Sequence, residues 1–465
     1  MVFNSTVFLL LFLPIVFVAN LPLKDRWSNA LLTLASLVFY AWGEPVLALL
    51  LAASIVVNWL LGRGVAKCVG APRKLLFVAA VAFNLGLLGY YKYAGFLAGI
   101  VNSAFGREVL AVPSVRLPIG ISFFTFQALS FAADLYRGRV DASPGLLDTA
   151  LYIAFFPRLT SGPIALYRDF RGQLAGREIT WLKVSDGFRR FIYGLAKKML
   201  ISGALGLCAD TVYGYDLSML DGRAAWIGAI AYALQLYYDF SGYSDMAIGL
   251  ARMFGFELPE NFDYPYLSRS ITEFWRRWHI SLGTWFREYV YIPLGGNRKG
   301  AFRTCLNLGI VFLLTGLWHG ADWSFVAWGL YHGLFVIVER VWLRRPLERH
   351  RFIAAAYCLL VVLLGWVLFR AGDLVQGLRF LARMLTPWRY RYEPIPLWKY
   401  VNAKTVAVAV CAVLGMGTLR AALPEKLARR WRGSALEAAY CVALLILSVA
   451  AIAANTYNPF IYFQF

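Results

Sequence analysis

Apolar runs long enough to cross a lipid bilayer recur along this chain from end to end, which leaves few folds open to it. A spanning helix needs about 20 apolar residues, because the hydrocarbon offers no partner for a backbone N–H or C=O. Candidate spans fall at about 4–20, 28–43, 45–62, 75–100, 117–133, 190–212, 226–252, 322–342, 352–370, 403–423 and 435–455, with 28–43 suspect for its shortness. Two others, 147–165 and 306–319, are broken or short and read as re-entrant candidates. Of the 465 residues 60% are hydrophobic and 15% charged, against about 25% charged in a soluble domain. The expected fold is an all-α, multi-pass membrane protein forming one integral-membrane domain over 1–465. The first run, "MVFNSTVFLLLFLPIVFVAN", has no basic start and no small-residue cleavage site, so it reads as a span.

The basic loops set the orientation. Arg63, Lys67, Arg73 and Lys74 lie between two spans, and Lys426, Arg429, Arg430 and Arg432 precede the last one; both clusters should be cytoplasmic. The chain would then begin and end on the outer side, with the tail 456–465 facing outward. The long polar connector 373–402 should lie at an interface. A formal charge of +20 fits the positive-inside rule and anionic headgroups, and it also fits an anionic cytoplasmic substrate. Nucleic acid is not an expected partner of so apolar a chain. The six cysteines are scattered without a C-x-x-C pair, and the four histidines include no H-E-x-x-H, so neither a disulfide framework nor a metal is expected.

Residues 270–299, "SITEFWRRWHISLGTWFREYVYIPLGGNRK", break the apolar pattern. Ser270 and Glu273 form a capping box, which predicts a helix start. Phe274, Trp278, Leu282, Trp285 and Tyr289 recur at spacings of 4, 4, 3 and 4 and share one face. The spacing predicts an interfacial basic helix over about 270–290 with tryptophan anchors, ended by Pro293 and Gly295–Gly296. Arg276, Arg277, Arg298, Lys299 and Arg303 surround a glycine-rich loop whose N–H groups could hold phosphates.

His319 closes the run "IVFLLTGLWHG". An ionisable residue inside a membrane span is functional by default. Burial favours the neutral ring, which can accept a proton and act as a general base. Gly316 and Gly320 beside it would admit a substrate or another backbone. His279 sits in the basic segment, while His332 and His350 read as structural. Gln235, Asp239 and Asp245 lie in "ALQLYYDFSGYSDMAIGLA", either as polar contacts between helices or as support for the site, a carboxylate orienting a histidine.

Taken together, "FWRRWHISLGTWFREYVYIPLGGNRKG" and "GLWHGADWSFVAWGLYHG" resemble the membrane-bound O-acyltransferase (MBOAT) family, closest to its AlgI-like bacterial branch of alginate and polysaccharide O-acetyltransferases. "LPIGISFFTFQALSFAADLYRG", "FFPRLTSGPI", "YYDFSGYSDMAIGLARMFGF", "NFDYPYLSRSI", "FRAGD" and "NPFIYFQF" extend the likeness over nearly the whole chain. The resemblance implies a ring of roughly 11–13 spanning or re-entrant helices around a central tunnel. It implies that His319 is catalytic and that His279 is the second hallmark position, positioning the donor or polarising its thioester. It implies a bacterial inner-membrane enzyme with no bound cofactor, which takes acetyl-CoA or another thioester as donor substrate. The acceptor would be an extracytoplasmic polysaccharide, reached through periplasmic partner proteins. Alginate-like exopolysaccharide is the expected acceptor; peptidoglycan or another cell-wall glycan is the alternative. The basic segment would draw in the polyanionic donor. Tyr462, in the aromatic tail, would be either an acyl relay outward or a headgroup anchor. A non-enzymatic transporter or flippase, or an export scaffold, is the reading of a different class; its proton-relaying His and Asp would come with an inverted repeat, and none is visible.

Overall fold

The computed structural model describes residues 1–140, 143–386, 395–418, 431 and 433–454. Among these the secondary structure is helical, apart from an isolated antiparallel bridge between Phe262 and Trp278. Among the described residues seven helices are long and apolar enough to cross a membrane, and two shorter apolar helices accompany them. The protein is an all-α, multi-pass membrane protein. It forms two compact units, one of residues 1–191 and 246–260, the other of 192–245 and 261–465. Of the three boundaries, those after 191 and 245 fall inside helices and the one after Glu260 falls in a connector.

In the first unit, α1 (Pro45–Lys67), α2 (Gly70–Leu88), α3 (Ile121–Tyr136) and α4 (Leu146–Ala154) pack through small and polar side chains. Asn58 on α1 and Asn84 on α2 exchange amide hydrogen bonds of 3.2 and 2.7 Å. Such pairs join helices where lipid offers neither partner nor hydrophobic drive. The broken span expected at 147–165 ends α4 at Ala154 and carries the fully buried Arg158. Its guanidinium lies 4.4 Å from the ring centres of both Tyr152 and Phe170 and donates to the carbonyls of Tyr152 and Ala165. A desolvated cation needs such partners.

Helices α5 (Trp181–Ala196) and α7 (Gly222–Met253) carry two of the three boundaries, with α6 (Gly203–Gly214) between them in sequence. In the second unit follow α8 (Ile271–Arg277), α9 (Ile280–Phe286), α10 (Gly300–His319), α11 (Trp323–Val338), α12 (Arg351–Arg370), α13 (Leu374–Leu385), α14 (Ala403–Val413) and α15 (Ala435–Ala453). The short run expected at 306–319 is the full-length α10, because the helix starts at Gly300 and takes in the polar turn before the apolar run. The single helix expected over 270–290 is instead two short helices. Ser270 caps α8 through the Glu273 N–H at 2.9 Å, as the sequence predicts, but the helix stops at Arg277. There the Asp263 N–H donates to the Arg277 carbonyl (2.9 Å) and the Ile280 N–H to the Asn261 carbonyl (3.0 Å). A distant strand-like segment thus captures the backbone groups that helix continuation would have used. The apolar face is not a membrane anchor either: Phe274, Trp278, Leu282 and Trp285 are buried within the protein.

Candidate active site

His319 is the last residue of α10, and the chain turns at Gly320 into an extended conformation. Asp322 then caps α11, its carboxylate accepting from the Ser324 N–H at 2.7 Å. The "LWHGAD" stretch is therefore a tight helix–turn–helix corner with an imidazole at its apex. The ring is buried and edge-on to three aromatic neighbours. Its centre lies 4.9 Å from Trp318, 5.0 Å from Trp328 and 5.2 Å from Phe369, at interplanar angles of 79°, 86° and 78°. The two glycines serve packing. A methyl group on Gly316 would strike the Phe325 carbonyl and come within 3.2 Å of the Gly329 Cα, and one on Gly320 would strike the Phe325 ring. Of the two expectations for these glycines, close approach of another backbone is what Gly316 permits.

His279 occupies the break between α8 and α9 at φ 46°, ψ 52°, a left-handed conformation unusual for a residue with a side chain. Such strain persists only where the surroundings over-determine it, and here Asn261 does so. Its Oδ1 accepts from the Ser281 N–H (3.3 Å) and Oγ (2.9 Å), and its Nδ2 donates to Ser244 Oγ (3.0 Å). A backbone N–H can only donate, so the atom facing Ser281 is the amide oxygen. The same oxygen lies 3.0 Å from His279 Nδ1, which must therefore carry the ring proton. Nε2 is left as a lone-pair acceptor, buried and without a hydrogen-bond partner among the described residues. Burial drives the ring's pKa down to about 3, so it is neutral at physiological pH. The ring packs against Phe240 at 4.7 Å and Trp318 at 5.9 Å. Two histidines forty residues apart in sequence thus share one tryptophan, Trp318.

The expected polar support is arranged differently. Asp239 lies 2.5 Å from Lys198 in a buried pair, and Asp245 lies 2.6 Å from Lys197. A carboxylate away from water needs a cation more than an imidazole, and the adjacent lysines supply two. The group that orients His279 is an amide, Asn261. Gln235 is buried nearby on the same helix as the aspartates.

Arg276, Arg298 and Lys299 line a cavity of about 1120 Å³, where Arg269, Arg287, Arg340, Arg344 and Arg351 join them. Three carboxylates share the lining, Glu273, Glu339 and Glu348. Glu339 is committed to structure, accepting from the N–H groups of Ile271 (2.5 Å) and Thr272 (2.9 Å) at the start of α8. Arg277 turns away to Glu273 at 2.9 Å and Asp263 at 3.6 Å, and Arg303, on the first turn of α10, is not part of the lining. The loop is folded back along α10 by Asn307, whose Nδ2 donates to the Gly296 carbonyl at 2.9 Å. Gly295, Gly296 and Gly300 take positive φ in this loop. Tyr462 and the tail 456–465 lie outside the described residues.

Residues 121–346, which hold both histidines and the cavity loop, match the model of the membrane-bound O-acyltransferase family. Over 100% of both chains the sequence is 39% identical to the probable alginate O-acetylase AlgI of Pseudomonas putida. The chain belongs to the membrane-bound O-acyltransferase family. Other relatives of this acyltransferase widen the range of chemistry. The peptidoglycan O-acetyltransferase of Helicobacter pylori is 34% identical over 83% of this chain and 80% of its own. The teichoic acid D-alanyltransferase of Bacillus subtilis is 29% identical over 47% of this chain and 58% of its own. In this acyltransferase the sequence flags both histidines and the cavity loop. It does not flag Asn261, Trp328, Phe369 or the arginines at 340–351. "NFDYPYLSRSI" is a conspicuous motif, but nothing in it announces that its first residue reaches His279.

Proposed function

We propose that this acyltransferase carries an acetyl group from a cytoplasmic thioester, acetyl-CoA or a related donor, across a bacterial inner membrane. The acetyl group passes to hydroxyls of an extracytoplasmic polysaccharide, alginate-like in the first instance, by way of periplasmic partner proteins. The single observation that carries the reading is the placement of two buried histidines that share Trp318, with His319 at the far end of the helix whose other end borders a strongly basic cavity. His319 takes the proton of the attacking hydroxyl as its oxygen bonds to the thioester carbonyl carbon. The tetrahedral adduct then collapses, the C–S bond breaks, and the thiolate leaves with the proton His319 holds. His279 presents an acceptor, so its role is to hold an N–H of the donor; polarising the carbonyl would require a donor at Nε2.

The spacing constrains the donor. Leu308 lines the basic cavity, and His319 lies about 16 Å further along α10 at the helical rise. A donor anchored by its phosphates must reach the histidines on a long arm, which coenzyme A has and acetyl phosphate lacks. The test is acetyl transfer by purified protein supplied with acetyl-CoA, acetyl phosphate or a phosphate-free pantetheine thioester. The expected order is acetyl-CoA well ahead of the other two, with His319→Ala slower by about 10²–10⁴-fold. Equal use of acetyl phosphate, or His319→Ala within twofold of wild type, would overturn it. The likeness to the Helicobacter pylori enzyme supports peptidoglycan as a second acceptor reading, decided by which glycan gains label from acetyl-CoA in cells.

A further inference from the structure

A second cavity, of about 820 Å³, lies at the other end of α12 from the basic 344–351 turn. It is set between the 213–218 segment and α13, and its size falls within the range of about 300–1,000 Å³ that encloses a small ligand. Its wall carries a stacked pair, Tyr213 on Phe380, with ring centres 4.4 Å apart and planes 2° from parallel. Arg370, Arg379 and Arg383 line it, with Asp216 as the carboxylate among the lining residues. Arg370 is held in place by Asp210 at 2.6 Å, with its guanidinium 5.4 Å over Tyr213. Phe369, its chain neighbour, touches the His319 ring.

The same positive-inside rule, applied to Arg344, Arg345, Arg349 and Arg351, puts the 344–351 turn on the cytoplasmic side, so the cavity at the other end of α12 faces outward. Arginines are disfavoured in short outer loops unless something there requires them. Arg223, at the start of α7, answers that requirement with Asp221 at 2.7 Å. Arg379 and Arg383 have no carboxylate partner among the described residues, and the Arg383 Nη1 is buried without a hydrogen-bond partner there. They stand one turn apart on α13, on the side that meets the cavity. The helix N-terminus is not the attraction, since Asp373 already caps it through the Gln376 N–H at 2.8 Å.

We propose that this cavity binds a carboxylate-bearing sugar chain, a uronate acceptor. The sugar's CH-rich ring face lies against Tyr213, the half-buried member of the pair that the buried Phe380 backs, and its carboxylates are taken by the arginine forks. The inference rests on the proposed function only for the side of the membrane and the acceptor class. A guanidinium fork matches a carboxylate in two parallel hydrogen bonds, and a lipid phosphate has no CH-rich ring face to lay against Tyr213.

The experiment uses the full-length protein in phosphatidylcholine nanodiscs, titrated with an oligouronate and with a neutral oligosaccharide of the same length. The oligouronate should bind at least about tenfold more tightly. Arg379→Gln with Arg383→Gln should lower that affinity about tenfold or more at unchanged melting temperature, and Lys at both positions should restore only part of it. Equal binding of the neutral chain, or affinity within twofold in the double Gln variant, overturns the proposal. So does loss of oligouronate binding when phosphatidylglycerol is added to the nanodisc, which would make this a lipid headgroup site. Thioester consumption is measured on the same preparation. Consumption without oligouronate binding sinks this site alone. Binding without consumption sinks the donor-side reading and leaves the site standing.

Discussion

Replacing Asn261 with leucine removes one side chain and unsettles one proton. Its oxygen serves His279 Nδ1 and both donors of Ser281, all buried. Each buried donor left without an acceptor costs about 1–3 kcal/mol, so the stability loss should be a few kcal/mol and visible as a lower melting temperature. The catalytic effect is separate. Without the amide oxygen nothing fixes the proton on Nδ1, and Nε2 becomes a donor in part of the molecules. Losing one directed hydrogen bond to the donor substrate, about 1.4–2.7 kcal/mol, corresponds to about 10–100-fold in kcat/KM. Asn261→Asp separates geometry from protonation. A carboxylate at the same distance favours the imidazolium, so the His279 pKa, held at about 3 in the native protein, rises. Below that raised pKa, Nε2 carries a proton and cannot accept. Activity of the Asp variant should therefore fall as pH is lowered through the neutral range, where the native enzyme shows no such step from His279. The assay is acetyl-CoA turnover in nanodiscs between pH 5 and 9. Asn261→Leu with native kcat/KM, or Asn261→Asp with the native pH profile, would refute the tautomer argument.

Arg276→Gln and Lys299→Gln should raise the KM for acetyl-CoA while changing kcat less, and native KM should itself rise with ionic strength because exposed charges are screened. Arg277→Gln, whose guanidinium is committed to Glu273, should move KM less than either; steady-state kinetics at two salt concentrations decides. Lys198→Ala leaves Asp239 buried without its cation and should cost about 3–5 kcal/mol, whereas Lys198→Met with Asp239→Leu should recover most of it in a thermal melt. Tyr462→Phe keeps the ring and removes the oxygen. If the tail relays acyl groups, this variant stops glycan acetylation while still consuming thioester, and an acetyl mass is found on the native tail; full acetylation by the variant makes Tyr462 an anchor.

Much of the fold is legible because its signals are local. Apolar runs mark spans, and Ser270 with Glu273 marks a helix start. What is not legible is long-range. The periodicity from Phe274 to Tyr289 is intact, yet the helix breaks at Trp278, because Asn261–Asp263 offer the backbone other partners. The tryptophans look like membrane anchors from their spacing and are core residues in the fold. Asp239 and Asp245 look available to a histidine until Lys197 and Lys198 arrive from another helix. The cavity arginines at 340–351 sit 40 to 56 residues from the 295–300 loop that shares the lining, and no spacing rule connects them.

The backbone contact of Gly316 with Gly329 has a mechanical consequence. With no side chain between them, α10 and α11 cannot slide or tilt independently without driving a carbonyl into a Cα. The hairpin that ends in His319 moves as one rigid body, and its imidazole has no backbone slack to follow a substrate. A misplacement of about 1 Å can cost about 10²-fold in rate, so a larger residue at either glycine, which would strike a backbone carbonyl, should lower turnover and stability together. The moving parts of the reaction must then be the arriving molecules. On the proposed function, a donor would swing its arm in from one end of the hairpin toward an imidazole that stands still.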